Sequence, residues 1–218
     1  MKEYRAKEYR TKEYRLEQVN GPEDFCKRLK SLPEAKIGNF VWNDAPNPKA
    51  NARMGYDDKA FYVYMEAVEP YIRAMQTEQN GPVYTDSCLE LYLMPAASSS
   101  MYFNIEINPI GTMFFSVGEQ RDGRILITDV TGADLGIRTC TEPLAQGGYR
   151  WSVSYALTYE LIQTYIPQFE MSSRMRMKGN FYKCGNGLPV PHWGTWAPVN
   201  TPKPDFHRPE WFGTFVLE

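Results

Sequence analysis

Two stretches of strictly alternating apolar and polar residues limit the folds open to this chain more than any other feature. They are Ser87–Met94 and Met101–Asn108. A period of two is that of a β-strand with one face buried and the other turned away from the core. The apolar positions are Leu89, Leu91 and Leu93 in the first stretch and Phe103, Ile105 and Ile107 in the second. We therefore expect two paired strands that share a core face.

Strand patterns continue through most of the chain. Aromatic residues make up 14% of it, and 16 Gly and 16 Pro supply turns, which is typical of an all-β protein. Further strands are predicted at Ala52–Tyr56 and Ala60–Val68, joined at Asp57-Asp58, and at Thr112–Val117, Gly136–Glu142, Tyr149–Leu157, Met175–Cys184 and Phe212–Leu217. Short helices are predicted to open at Pro22-Glu23-Asp24 and to span Thr158–Tyr165. The predicted fold is a single-domain antiparallel β-sandwich, jelly-roll or immunoglobulin-like, with one or two short helices.

The first 15 residues differ from the rest in repeating Lys-Glu-Tyr-Arg three times. A five-residue period matches neither a helix nor a strand face, so we interpret residues 1–15 as an arm and residues 16–218 as the sandwich domain. Two readings of the arm stay open, a solvated extension or a Tyr/Arg patch for an anionic partner. Residues 185–209 form a second unusual stretch, a predicted long loop rich in Pro, Gly and Trp, where binding residues tend to lie.

Composition and the start of the chain disfavour several classes of partner. The formal charge is −2, which argues against a nucleic-acid surface, and no apolar run is long enough to span a membrane. The first residues lack the pattern of a secretory signal, so a cytoplasmic location is expected. The four cysteines have no metal-binding spacing, and we expect reduced, mostly buried thiols, no bound metal and no cofactor.

The polar faces of the two alternating strands suggest a chemistry. They bring together two carboxylates, two amides and a tyrosine: Glu90, Tyr92, Asn104, Glu106 and Asn108. Carboxylate and amide groups form directional hydrogen bonds with hydroxyls, and aromatic rings stack on apolar faces of sugars. The same residues are compatible with an ordinary solvated sheet face.

Four segments carry a resemblance, and they occur in family order. Gly81–Leu93 looks like the W-x-D-D-x-V-E-x-F-L stretch of family 9 carbohydrate-binding modules, and Tyr102–Thr112 resembles the next strand pair of the family 9-like branch. Asp57–Val63 matches the family's early hairpin, and Pro204–Gly213 is similar to its C-terminal signature. The resemblance implies a β-sandwich related to the DOMON superfamily.

The resemblance also implies a ligand and a set of contacts. Family members clamp a terminal sugar of a glucan or xylan between two aromatic rings, which fall here on Tyr84 and Phe206. Polar contacts to the sugar fall on Glu90, Asn104 and Glu106. The family often has Arg and Asn at the last two positions, so a more acidic pocket is expected, better suited to a neutral or amino sugar than to a uronic acid.

Three further residues are weaker candidates for the same site. His207 and Arg208 either touch the ligand or fix the loop that carries them. Trp196 could supply a ring in place of the clamp aromatics, as could Trp193 or Trp211, although core packing is favoured for Trp211. Some family members hold structural calcium, but the acidic pairs Asp57/Asp58 and Asp129/Asp134 are better explained by turn chemistry.

The expected function is non-catalytic binding of a chain end of an oligo- or polysaccharide, associated with carbohydrate catabolism. The main alternative is a glycoside hydrolase that uses Glu90 and Glu106 as acid and base. A haem-binding redox module is a weaker alternative. It would need axial ligands from His192 or His207 with one of Met65, Met94, Met101 or Met113.

Overall fold

The computed structural model describes residues 12–42 and 47–218. Residues 1–11, which include most of the predicted arm, lie outside the described part. Thirteen strands form the framework of the described part: β1 (Glu13–Gln18), β2 (Ala35–Ile37), β3 (Lys49–Tyr56), β4 (Ala60–Glu69), β5 (Cys88–Met94), β6 (Tyr102–Ile107), β7 (Met113–Gly118), β8 (Ile125–Leu126), β9 (Arg138–Pro143), β10 (Tyr149–Thr158), β11 (Arg176–Cys184), β12 (Trp193–Thr195) and β13 (Gly213–Leu217). The helices are α1 (Gly21–Arg28) and α2 (Tyr159–Tyr165).

The predicted strands and both predicted helices are confirmed, with small shifts at their ends. The hairpin turn between β3 and β4 forms because Asp57 Oδ1 accepts hydrogen bonds from the backbone N–H groups of Lys59 (2.7 Å) and Ala60 (2.9 Å). Asp134 likewise accepts from the N–H and hydroxyl of Thr131. These contacts agree with the interpretation of the acidic pairs as turn residues.

The strands form two layers in the order β8-β7-β6-β5-β11-β13-β1-β3-β4-β10-β9, with β12 on β11 and β2 on β3. Strand β1 belongs to both layers. Its residues Glu13–Leu16 pair with Thr214–Leu217, and Glu17 and Gln18 pair with Gly55 and Tyr56. Both pairings are parallel, so β1 departs from the predicted antiparallel pairing within a sandwich that is otherwise confirmed. Every other strand pairing within the described sheets is antiparallel.

The main core lies between the two layers, and it includes the predicted apolar faces of β5 and β6. Leu91 and Ile105 on one layer belong to the same buried cluster as Val63 and Trp151 on the other. Tyr14 ties β1 into this core, because its hydroxyl donates to Pro33 O (2.7 Å) and accepts from Met54 N–H (2.8 Å). The alternation therefore placed the core correctly.

The cysteines are only partly as expected. All four are free thiols, and Cys88 and Cys184 are buried, but Cys26 on α1 and Cys140 on β9 are exposed. Among the described residues, no helix is both long and apolar enough to cross a membrane.

Candidate functional site

The polar faces of β5 and β6 meet as the alternation predicted. Glu90 pairs with Glu106, and Tyr92 pairs with Asn104. This face is not solvated, however, because Glu90, Asn104 and Glu106 are all buried. The interpretation as an ordinary solvated face was therefore wrong, and the polar set forms the floor of a covered site.

The cover comes from the long segment that follows β11. The Phe206 ring stacks on Tyr182 of β11 at 4.1 Å between centroids and 13° between planes. Next to it, His207 lies between two tyrosines of the floor: Nε2 is 3.2 Å from the Tyr92 hydroxyl and Nδ1 is 2.9 Å from that of Tyr102. These contacts fix the loop against the outer face of the sheet.

Between floor and cover lies a cavity of about 480 Å³, a size common for small-molecule sites. Its lining combines aromatic rings, amides, carboxyl groups and guanidinium groups. The lining residues are Asn80, Gly81, Pro82, Tyr84, Glu90, Tyr92, Asn104, Glu106, Phe114, Arg121, Arg124, Cys184, Asn186, Trp193, Pro204, Asp205, Phe206 and His207.

The structure brings six of the eight candidate residues to this cavity: Tyr84, Glu90, Asn104, Glu106, Phe206 and His207. Tyr84 lies in a 3₁₀ turn (Val83–Thr85), and 46% of the residue is exposed. Phe206 is only 8% exposed, and Tyr182 occupies one face of its ring. The two rings of the expected clamp are therefore unequal, and Tyr84 offers the larger free surface.

Trp196 and Arg208 do not line the cavity. Trp196 is 2% exposed and packs edge-on against Tyr14 and Phe181 in the main core. Its ring needs the space beside Gly213, where an added Cβ would lie 2.3 Å from it. Arg208 instead pairs with Glu210. Trp196 is thus a core residue, and Arg208 is a surface residue.

Of the alternative tryptophans, Trp193 is the one that lines the cavity. It lies on β12, and its Nε1 donates to Asn186 Oδ1 at 2.6 Å, which fixes the ring at the cavity wall. Trp211 packs against the aromatic cluster on the outer face of the sheet, in line with the packing role expected for it.

Sequence reasoning missed two arginines from the region between β7 and β8. Arg124 lies over the Tyr102 ring, with Cζ 4.3 Å from the centroid, and its Nε donates to Ser116 Oγ at 2.8 Å. Arg121 pairs with Asp205 at 2.6 Å, between two loops that line the cavity. The two guanidinium groups therefore offset part of the negative charge expected of the cavity. A basic residue in a Gly-flanked turn carries no strand pattern, so nothing in the sequence marked either arginine.

Burial changes the protonation of the floor. Loss of solvation raises the pKa of Glu106 to about 7, and it raises the pKa of Glu90 well above its usual value. Two neighbouring carboxyls also disfavour each other's charge. At neutral pH the floor therefore carries less negative charge than two glutamates suggest.

Two buried oxygens of the floor have no hydrogen-bond partner among the described residues. They are Asn104 Oδ1 and Glu106 Oε2, although Asn104 Nδ2 itself donates to Glu106 Oε1 at 3.0 Å. An unsatisfied buried acceptor costs free energy of about 1–3 kcal/mol. The floor thus holds acceptors placed for hydrogen-bond donors that the described residues do not supply.

Both histidines already have polar partners within the protein. His207 contacts the two tyrosines, and His192 Nε2 is 3.0 Å from Lys183 Nζ in a buried cluster at the end of β11. Met65 and Met113 belong to the main core. Haem ligation by these residues would require breaking these contacts, so the arrangement does not support the haem-binding alternative.

The chain is similar to known carbohydrate-binding proteins. The family model described as carbohydrate-binding family 9 matches residues 25–217. A search of curated proteins gave no match. A protein of Bacteroides uniformis ATCC 8492, described as a candidate carbohydrate-binding protein, is 22% identical with a TM-score of 0.78, and the alignment covers 95% of this chain and 100% of that one.

Two structures of a family 9 carbohydrate-binding module from Caldicellulosiruptor kristjanssonii also match, each with a TM-score of 0.59 over 95% of this chain. The complex with cellotriose is 15% identical and covered over 94% of its length, and the complex with glucose is 14% identical and covered over 96%. At these identities the structural similarity establishes the fold. The family assignment rests on the sequence model over most of the chain, and this protein belongs to carbohydrate-binding family 9.

Proposed function

We propose that this protein binds the chain end of a glucan- or xylan-type oligosaccharide in the described cavity, without catalysing its cleavage. The observation that carries the proposal is the pair of unpartnered acceptors, Asn104 Oδ1 and Glu106 Oε2, in a cavity that the exposed Tyr84 also lines. Sugar hydroxyls are the donors that such acceptors lack, and the ring can stack on the apolar face of the same sugar.

The lining favours a neutral sugar. Three carboxyl groups (Glu90, Glu106 and Asp205) share the cavity with two guanidinium groups (Arg121 and Arg124). Burial raises the pKa of both glutamates, so the negative charge is reduced further. The lining therefore has no strong net charge that would attract either a uronic acid or an amino sugar. Loops wall the cavity on several sides, which suits the end of a chain better than its middle.

Isothermal titration calorimetry with glucose, xylose, cello-oligosaccharides and xylo-oligosaccharides tests the proposal. We expect binding to at least one neutral oligosaccharide, weakened about tenfold or more by Tyr84→Ala, which corresponds to ~1.4 kcal/mol. Asn104→Ala should weaken the same ligand, because one acceptor of the floor is lost.

The matched control is Tyr149→Ala, which removes another exposed tyrosine on β10 in the opposite layer. It should leave binding unchanged. Failure of every sugar to give heat, or an equal effect of the two tyrosine variants, would count against the cavity as a sugar site.

A glycoside hydrolase is the second candidate, because Glu90 and Glu106 are direct cross-strand neighbours with raised pKa values. Retaining glycosidases hold two carboxyl groups only about 5–5.5 Å apart. Turnover of aryl glycosides that Glu90→Gln abolishes would identify an enzyme. Binding without turnover would support the non-catalytic proposal.

A further inference from the structure

Three metal-binding side chains converge at one end of the cavity floor. Cys88 and Cys184 are directly opposite each other on β5 and β11, and Glu90 lies two residues after Cys88 on the same face. Both thiol sulfurs and one carboxyl oxygen lie within 4.8 Å of one another. All three residues are buried, so the cluster is held by the strands rather than by a surface loop.

One side of this cluster opens to the cavity. Cys184 and Glu90 both line it, whereas Cys88 is fully buried beneath them. On another side, Cys184 Sγ is 3.3 Å from the carbonyl oxygen of Tyr84. Three donors are therefore supplied by the protein, and the remaining direction faces the space proposed for the sugar.

This donor set matches the coordination chemistry of zinc. Thiolate sulfur and carboxylate oxygen bind Zn²⁺ at about 2.3 Å and 2.0–2.2 Å, and sites with three protein ligands keep a fourth position open. Donors already within 4.8 Å of one another reach such distances by side-chain rotation. We propose that Cys88, Glu90 and Cys184 bind a zinc ion whose open coordination position faces the cavity.

Binding would exchange protons for the metal ion. Burial raises the pKa of all three groups and so favours their protonated forms in the absence of metal. Coordination would release the protons of both thiols and the carboxyl to water, leaving two thiolates and one carboxylate on the dication. Water or a sugar hydroxyl would take the fourth position. This site goes beyond the proposed sugar binding, although it shares Glu90 with it.

Cobalt(II) is a suitable spectroscopic probe for the site. The experiment uses the full chain, reduced and treated with chelator, in a Cys26→Ser/Cys140→Ser background, because these two exposed thiols could bind metal on their own. We expect one equivalent of Co²⁺ to give a thiolate-to-cobalt charge-transfer band and tetrahedral visible bands, both bleached by Zn²⁺.

Variants of the three donors identify the ligands. Cys88→Ser and Cys184→Ser should abolish the charge-transfer band or reduce its intensity by half, and Glu90→Gln should weaken Co²⁺ binding at least about 10- to 100-fold, the loss typical of outer-shell partners alone. Cys88→Ala is the alternative if serine prevents folding, which circular dichroism would reveal. No charge-transfer band in the folded background protein, or a band unchanged in the cysteine variants, would overturn the proposal.

Thiol titration without reductant tests whether Cys88 and Cys184 form a disulfide instead of binding metal. Two free thiols in the unfolded background protein are expected, and their absence would indicate a Cys88–Cys184 disulfide and overturn the zinc site. Sugar calorimetry on the metal-free protein is independent of this result. Sugar binding without cobalt binding would therefore reject the metal site alone, and cobalt binding without sugar binding would reject the sugar proposal alone.

Discussion

At the scale of single residues, the site rests on side chains whose surroundings differ from what their position in a strand suggests. Glu90, Asn104 and Glu106 could be predicted because alternation fixes which face a strand residue occupies. Trp196 could not, because whether a loop aromatic turns into the core depends on the space left by Gly213 on a distant strand. Arg121 and Arg124 reach the cavity from a loop, and loops lack the regular alternation of residues from which side-chain direction could be predicted.

A buried ion pair supports the end of β11. Lys183 is fully buried, and its Nζ is 3.1 Å from Glu69 Oε2. We expect Lys183→Met to lower the free energy of unfolding by about 3–5 kcal/mol, because it leaves a carboxylate buried without its counter-ion. Urea unfolding followed by tryptophan fluorescence measures this change.

Two further variants check the cause of that loss. Lys183→Met/Glu69→Gln should recover part of it, since no charge then remains uncompensated, and Gln keeps an acceptor for Trp151 Nε1. Arg176→Ala, which breaks the exposed pair with Glu13, should have little effect. If Lys183→Met is as mild as Arg176→Ala, the buried pair contributes no stability.

His207 should make the protein less stable in acid. Burial lowers the pKa of His207 from 6.5 to about 3. The unfolded chain therefore binds a proton below about pH 6.5 that the folded protein does not. This contribution to stability is fully present above pH 6.5 and is lost progressively as the pH falls towards 3, by up to ~1.4 kcal/mol per pH unit.

The variant His207→Gln isolates this effect. Between about pH 6 and pH 4, the unfolding free energy of the variant should fall less steeply than that of the wild type. The difference between the two slopes corresponds to the uptake of up to about one proton on unfolding. Urea unfolding at several pH values gives both slopes. Equal slopes would mean that His207 is protonated within the folded protein at the same pH as in the unfolded chain.

At the scale of elements, long strands with a buried face could be predicted and short ones could not. β2, β8 and β12 contain only two or three residues, too few to show alternation, and β8 is exposed on both sides. The parallel pairing of β1 was also missed, because pairing direction depends on which strands meet in space. A strand shared by two layers leaves no mark in its own sequence.

The side chain of Tyr14 should be the main link between β1 and the second layer. Tyr14→Phe removes the hydroxyl that accepts from Met54 N–H and donates to Pro33 O. We expect a loss of about 1–3 kcal/mol in unfolding free energy, because a buried N–H loses its acceptor. Tyr149→Phe on β10, whose ring is partly exposed, is the control and should change little.

At the scale of the whole molecule, an extra layer of chain covers the outer face of the sheet that carries the cavity. The segment after β11 covers the outer face of one sheet, and the aromatic cluster of Tyr92, Tyr102, Tyr182 and Phe206 packs between them beside the cavity. A ligand in the cavity would contact both sheet and cover. Binding is therefore expected to stabilise the molecule as a unit.

Thermal unfolding in the presence of sugar tests this expectation. A sugar present at about 100 times its dissociation constant should stabilise the folded protein by ~2.7 kcal/mol and raise its Tm. In a thermal scan with the oligosaccharide identified by calorimetry, the shift should be present in the wild type and in Tyr149→Ala, and absent or much smaller in Tyr84→Ala. An equal shift in both variants would place the ligand outside the cavity.

The pairing of β1 with β13 has a consequence for how the protein folds during its synthesis. Glu13–Leu16 pair with Thr214–Leu217, so β1 has a partner that the ribosome makes about 200 residues later. Contacts this distant along the chain slow folding, and the two layers are joined through β1. While the residues between these two strands are synthesised, the edge of β1 that pairs with β13 has no partner, and the sandwich closes only after β13 is made.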